Sequence, residues 1–320
     1  MTPQTIDQRI DQPADQPTVQ ATLPGFERAL EVLATGPLAT VQDLGRPGLA
    51  ALGVGQSGAA DADALRLGNR LVGNPESAAG VELTFGGLEV RSRGGMYVAL
   101  TGAPCPMRVD GRAVASYAVV WLPDGATLRV GVPTVGLRSY LAVRGGVEVA
   151  PVLDSRSTDT LAGLGPSPLD AGDVLPVGSA PPGELVVDQA AVRHPEAGEI
   201  RLRIVPGPRA DWFAPTAHRA LLAEAYEVTA ESNRIGMRLA GTALERARDG
   251  EIPSEGMVTG ALQVPPSGQP VLFLADHPVT GGYPVIAVVV AADIGLAAQA
   301  RPGQRVRFVL APSAGDLDAT

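Results

Sequence analysis

The sequence predicts a mainly β protein with a few short helices. Three observations carry that expectation. First, 39 glycines and 29 prolines stand among 320 residues, about one position in five. Second, short apolar runs recur between them; third, helical periodicity is scarce. Gly and Pro break regular elements and supply turns, so their density favours short strands joined by tight loops.

From residue 29 onward the runs follow in order as LEVLA, VELTF, LEVRS, YVALTG, MRVDG, VVWL, TLRVG, SYLAVRG and DVLPVG. Most carry β-branched or aromatic residues and are bounded by Gly, Pro or Asp, and a spacing of about ten residues predicts a barrel or sandwich of antiparallel strands. Two segments read as helices. In DADALRLGNRLVG (61–73) apolar residues recur at three- and four-residue steps behind acidic first-turn residues, and APTAHRALLAEAYE (214–227) has a similar pattern. The run VIAVVVAA (285–292) is far shorter than the roughly 20 apolar residues a spanning helix needs, and reads as a buried strand.

Residues 1–28 are rich in Gln, Asp and Pro and are expected to be a disordered tail, with a second short tail over 313–320. At about 150 residues per domain the length suggests two domains. The stretch SAPPGELVVDQAAVRHPEAG (179–198) interrupts the strand pattern and reads as the linker, which divides 29–190 from 191–312. Each half closes on a similar phrase, LDAGDVLPVG (169–178) and ARPGQRVRFVL (300–310): a polar turn, Gly, then an apolar strand. The match hints at duplication of one unit.

No lysine occurs in these 320 residues, so all 25 basic side chains are arginine. A phosphate loop of the GxxxxGK type, a Schiff base, a pyridoxal phosphate anchor and a biotinylated lysine are therefore all excluded on this chain. The net charge of −9 opposes nucleic acid and anionic lipid, and no basic cluster reverses it locally. Cys105 is the single cysteine, set between two prolines; it is expected to be a buried thiol, and with no N-terminal apolar stretch the chain is expected to be cytoplasmic. His194, His218 and His277 are widely separated and have no cysteines near them, which argues against a zinc site.

Four segments combine small residues with polar groups. TVQDLGRPG and LGVGQSGAAD (40–48, 52–61) offer Asp43, Arg46 and Ser57 on Gly-rich backbone. Their plainer reading is an elaborate turn that caps the helix from Asp61. The string GVGQSG lacks the strand and helix of a dinucleotide unit around it. AVRGGVEV and LDSRSTDT (142–149, 153–160) offer Arg144 and Arg156 as forks for a carboxylate, with Ser155 and Ser157 beside them; the alternative is exposed arginines next to a turn. ESNRIGMRLAG (231–241) places Asn233 and Arg234 before a strand, or on a surface hairpin. The fourth segment, 254–289, has a strand that ends in Asp276 and His277, then a turn with Thr280, Gly281, Gly282 and Tyr283. Adjacent strand residues point to opposite faces, so Asp276 and His277 are not a triad, and one of them is expected to face a pocket.

These segments resemble the carboxyltransferase-type family that includes the C component of 5-oxoprolinase and the C-terminal half of the urea carboxylase carboxyltransferase domain. The matching phrases include TVQDLGRPG, GVGQSGAAD, VELTFGG, YLAVRGG, VLDSRST, SNRIGMRL, EIPSEGMVTGALQVPPSGQPV and ADHPVTGGYPVIA, in order over roughly 30–310. The resemblance implies two cyclophilin-like β-barrel subdomains with a cleft between them. It also implies work beside B-like and A-like components of 5-oxoprolinase, in ATP-dependent opening of 5-oxoproline to L-glutamate. In the urea carboxylase relatives a carboxyl group passes from carboxybiotin to urea, and some relatives are described as regulatory binding modules. Without lysine, any biotin must arrive on another chain. Without a phosphate loop, ATP would meet backbone N–H groups and arginines at a shared site, or bind mainly to a partner. Within this frame Arg144 or Arg156, with Arg234, is expected to grip a carboxylate, while Asp276, His277 and Tyr283 line the reacting end. Gln263 completes the expected binding set.

Overall fold

The computed structural model describes residues 27–192, 194–248, 250 and 252–312. Residues 1–26 and 313–320, expected to be tails, lie outside these. Arg28, placed in the tail by the sequence, is tied down: it donates 3.1 Å to the Arg144 carbonyl and also to that of Gly178.

The first half runs β1 (Ala29–Thr35), β2 (Leu38–Gln42), α1 (Ala62–Leu71), β3 (Gly80–Thr84), β4 (Leu88–Arg93), β5 (Met96–Gly102), β6 (Met107–Val109) and β7 (Arg112–Val114). It continues through β8 (Val120–Leu122), β9 (Thr127–Val130), β10 (Arg138–Val143) and β11 (Val174–Pro176). Two sheets result, in the orders β11-β1-β4-β9-β6-β7 and β2-β3-β10-β5-β8. Alternate apolar residues of both, such as Leu30, Val90 and Leu128 from one and Val81, Leu100 and Leu141 from the other, enter a single core. On the outer face of the five-stranded sheet, α1 packs against β5 and β10 through Leu71, Ala99 and Ala142. As a result every residue of β10 is buried.

The second half runs β12 (Ile200–Pro206), α2 (Pro215–Ala223), β13 (Ala225–Val228), β14 (Gly236–Ala240), β15 (Glu255–Gly256), β16 (Ala261–Gln263) and β17 (Val271–Phe273). β18 (Thr280–Gly281), β19 (Val285–Val289), α3 (Ile294–Ala298) and β20 (Arg305–Leu310) complete it. Seven of these strands close into a barrel, β12-β19-β16-β17-β14-β13-β20, in which β12 and β20 pair in parallel. Leu202, Tyr226, Leu262, Ile286 and Phe308 fill it. The β15 and β18 segments form a separate ribbon.

The mainly β architecture with few short helices is therefore observed. The helix read over 214–227 stops at Ala223, because Glu224 turns extended and Tyr226 is drawn fully into the barrel core. The linker region lies against the first half, where the Val119 N–H donates to the Asp188 carbonyl. Arg144 fastens it further, donating to the carbonyls of Pro181 at 2.8 Å and Gly183 at 2.5 Å. Trp121 lies on the edge strand β8 with its ring 4.8 Å from that of Tyr97, whereas Trp212 sits in the second half beneath Arg248. Cys105 is buried against Ser139, and that burial pushes its thiol pKa up.

Candidate functional site

The loops after β2 and β10 are laced together by Asp43. Its carboxylate accepts from Gly45 N (2.8 Å), Ser155 Oγ (2.7 Å) and Arg156 N (2.6 Å), and also from Ser157 Oγ. Arg46 is buried and donates 2.6 Å to the Ser157 carbonyl. Gly45 adopts φ 80, and a Cβ there would lie 2.4 Å from the Gln56 carbonyl oxygen, so only glycine lets the loop cross itself.

This scaffold delivers Ser57 and Thr160 to Asp276. Ser57 Oγ donates to Asp276 Oδ1 at 2.6 Å; Thr160 donates to Oδ2 from Oγ1 at 2.7 Å and from its N–H at 3.0 Å. Arg234 grips the same carboxylate through Nε and Nη2, each at 2.8 Å, and reaches the Gly58 carbonyl at 2.7 Å. Its Nη1 donates to Glu82 Oε1. Glu82 Oε2 in turn accepts from Tyr140 Oη (2.8 Å) and Ala60 N (2.9 Å), and Arg138 Nε lies 3.5 Å from Oε1. Glu82 and Arg138 belong to the first half, Arg234 and Asp276 to the second, and all four are buried.

Burial pushes the Asp276 carboxyl up, but the Arg234 charge and the hydrogen bonds outweigh it, so its pKa falls below the ordinary value. Arg234 is raised despite its burial, because two carboxylates face it. Both are committed as an ion pair inside the protein. Asp276 is thus a clamp between the halves, and it fixes the backbone that carries His277.

His277 lies 2.8 Å from the Pro278 carbonyl through Nδ1. A carbonyl oxygen only accepts, so this contact assigns a proton to Nδ1 and, in the neutral tautomer, leaves Nε2 as the acceptor. The ring stacks on Phe273 at 5.9 Å. Gly55 brings its loop up to this turn: a Cβ there would lie 3.5 Å from the His277 carbonyl oxygen and 3.8 Å from Asp159 Oδ2. Thr280 and Gly281 form β18, and Gln263 Nε2 donates 3.1 Å to the Tyr283 carbonyl. Tyr283 is 39% exposed, and its ring faces Arg246. Gly282 follows in the same turn. His277 is itself buried, and its ring meets Phe273 and the Pro278 carbonyl, whereas the Tyr283 ring turns to Arg246.

The remaining residues lie elsewhere. Arg144 also reaches the Val72 carbonyl, and Arg156 donates 2.8 Å to the Val149 carbonyl beside Glu148. Asn233 Oδ1 accepts from Ile235 N and Gly236 N, closing a turn before β14. The structure does not bring Arg144, Arg156 and Arg234 together around a common ligand position. Sequence reasoning missed Glu82, Arg138, Tyr140 and Thr160; the acid within the apolar phrase VELTF was the one available signal. Among the described residues no cluster of three or more His, Cys, Asp or Glu could hold a metal ion.

The profile of the carboxyltransferase domain, subdomains A and B, matches residues 52–310. The chain belongs to the carboxyltransferase domain family. It is 38% identical over 283 residues to the C subunit of 5-oxoprolinase from Escherichia coli (strain K12), covering 88% of this chain and 90% of that protein. It is 32% identical to urea amidolyase of Saccharomyces cerevisiae over 88% of this chain, but spans only 16% of that larger protein. The crystal structure of Kluyveromyces lactis urea carboxylase superposes with a TM-score of 0.85 at 29% identity, over 91% of this chain and 28% of that one. As in other members, then, the carboxyltransferase domain here is a mainly β unit. Relatives of this carboxyltransferase-domain protein are components of larger enzymes.

Proposed function

We propose that this chain is the C-type component of an ATP-dependent 5-oxoprolinase, which hydrolyses 5-oxo-L-proline to L-glutamate beside a B-like and an A-like protein. One observation carries the reading: the alignment runs over 90% of a 5-oxoprolinase C subunit, whereas the urea amidolyase match is a small part of a much longer chain. His277 supplies the chemistry. Its free Nε2 accepts a proton from water as the oxygen adds to the ring carbonyl, and returns it to the nitrogen as the C–N bond breaks. Tyr283 and the Gly281–Gly282 backbone position the ring.

The cleft between the halves does not fit a triphosphate. Arg144, Arg156 and Arg234 are spent on protein acceptors, there is no lysine, and the cleft between the halves holds about 180 Å³. With no phosphate loop on this chain, the reading assigns the nucleotide mainly to a partner. No described helix is long and apolar enough to cross a membrane. The proposed complex is cytoplasmic.

Co-expression with the related components and an assay of ATP-dependent glutamate release tests this. His277→Ala is expected to lose about 100-fold or more in turnover. Full activity in that variant, or none in an intact wild-type assembly, rejects the reading. The family match favours one alternative, a carboxyltransferase acting on urea or a similar small amide. Carboxylation of urea by that assembly, with carboxybiotin supplied on another chain, would select it. A stable complex inert in both assays points to a regulatory binding module.

A further inference from the structure

We propose that the notch between the Gly55 loop and the His277 turn is a binding site for a primary alkylammonium group. Asp159 carries the argument. Among the described residues the buried carboxylates are those of Asp43, Glu82, Asp159, Asp276 and Asp293. All but Asp159 have hydrogen-bond donors at both oxygens. Asp159, only 4% exposed, has them at Oδ1 alone, where the Leu161 and Ala162 N–H groups donate at 2.9 Å each. Its Oδ2 has no donor among the described residues. Arginines pair with Glu82, Asp276 and Asp293, and no described arginine pairs with Asp159. A buried charge without a counter-charge is costly, and a cation brought to Oδ2 would offset that cost.

Geometry fixes where that cation would sit. The position a Cβ would take on Gly55 lies 3.8 Å from Asp159 Oδ2 and 3.5 Å from the His277 carbonyl oxygen, and apart from chain neighbours no other heavy atom comes within 4 Å. The His277 carbonyl likewise accepts no hydrogen bond among the described residues. Gly55 is half-buried, so the notch opens outward. Both oxygens are held in place: the Asp159 N–H donates 2.8 Å to the Leu164 carbonyl, and the next residue, Thr160, donates to Asp276 beside His277. The two acceptors belong to different groups and Oδ1 is already engaged, so a planar guanidinium finds no carboxylate edge to fork onto. A compact ammonium, with its three donors, meets them separately. Two oxygens also fall short of the about six or more that Ca²⁺ or Mg²⁺ takes. Leu161, whose N–H holds Oδ1, is half-exposed and offers apolar surface to an alkyl stem. The chain has no lysine, so none of its own side chains carries such a group. The site is independent of the reaction proposed above, since the notch meets neither the His277 ring nor Tyr283.

The test titrates the intact, amide-labelled chain with n-butylammonium and, separately, with n-butanol, which lacks the charge, and n-butyltrimethylammonium, which lacks the N–H donors. The ammonium should saturate and shift the amide signals of Gly55, Leu161 and Ala162, and both analogues should bind at least about tenfold more weakly. Asp159→Asn, which keeps an oxygen for the Leu161 and Ala162 N–H groups, should weaken binding about tenfold or more. Gly55→Ala is the control for folding, because Gly55 lies outside the left-handed region and its Cβ would make only ordinary contacts. Its melting temperature should be unchanged, while the methyl fills the notch and binding falls about tenfold or more. Nα-acetyl-lysine methylamide separates the sources: tighter binding than butylammonium assigns the site to a lysine of another protein, and weaker binding to a free amine. Non-saturating shifts, shifts away from those amides, equal binding of either analogue, or a Gly55→Ala variant that binds like wild type would each overturn the proposal.

Discussion

Glu82 shows how one side chain can determine an interface. It is the acceptor for Arg234, Tyr140 and the Ala60 N–H at once, and it is 2% exposed. Removing one partner from a buried ion cluster leaves the others uncompensated. Glu82→Gln should therefore cost about 3 kcal/mol in urea denaturation, and a loss below about 1 kcal/mol would refute the linkage. Asp276 adds a pH signature. Its carboxyl is held below its ordinary range, so the stability it contributes is present above the unfolded-state pKa and disappears as pH falls through the folded value. Asp276→Asn should be less stable than wild type at neutral pH, and the gap should close in acid. A gap that stays constant down the acid limb would contradict the assignment. Polarity alone flagged Asp276 and Arg234 in the sequence, but not what they bind. In VELTF, simple alternation leaves the Glu on a face that the sequence gives no reason to cover, whereas in the fold the second half covers it.

At the scale of elements, α1 was legible because its signals are local. Asp61 caps it by accepting from the Ala64 N–H at 3.1 Å, and Leu65, Gly68, Asn69 and Leu71 are buried along one side. Asp61→Ala should cost about 1 kcal/mol through the lost cap. Burial raises the Asp61 carboxyl above its ordinary value, so its contribution is full below the unfolded-state pKa and declines as pH rises through the folded one. Asp61→Asn, which keeps a capping oxygen, should flatten that decline in a pH series of melting temperatures; an unchanged slope would count against it. Many strands of the first half were legible as runs, since period-two burial and turn residues are encoded within each, but β2 and β12 were not singled out and β13 was read into the helix over 214–227. Strand partners were not legible: the parallel pairing of β12 with β20 joins residues about a hundred positions apart, which no local pattern carries. The plainer reading of the glycine loop, an elaborate turn, fits its close backbone crossings at Gly45 and Gly58. Gly58→Ala, at φ 92 with a Cβ 2.8 Å from the Gly45 nitrogen, should destabilise by about 2 kcal/mol or more. Thermal melting checks it.

Across the whole molecule, two cores are joined by groups that have no alternative partners. Gln299 of the second half accepts from the Leu137 and Arg138 N–H groups, and donates 2.8 Å to Asp61 and 2.9 Å to the Arg138 carbonyl. Arg301 adds donors to the carbonyls of Pro133 and Thr134. With so many buried polar groups satisfied only across the junction, neither half can unfold without exposing unpaired donors in the other. Calorimetry should show a single cooperative transition, which Gln299→Ala lowers by about 3 kcal/mol; two separated transitions in the wild type would disprove the coupling.

The aromatic residues provide a way to watch this. The chain has just two tryptophans, Trp121 half exposed on an edge strand of one half and Trp212 under an arginine in the other. Each half thus carries its own intrinsic fluorophore. Trp121→Phe and Trp212→Phe would make the emission report on one half at a time, and coincident curves from the two variants would time the halves against each other without any attached dye.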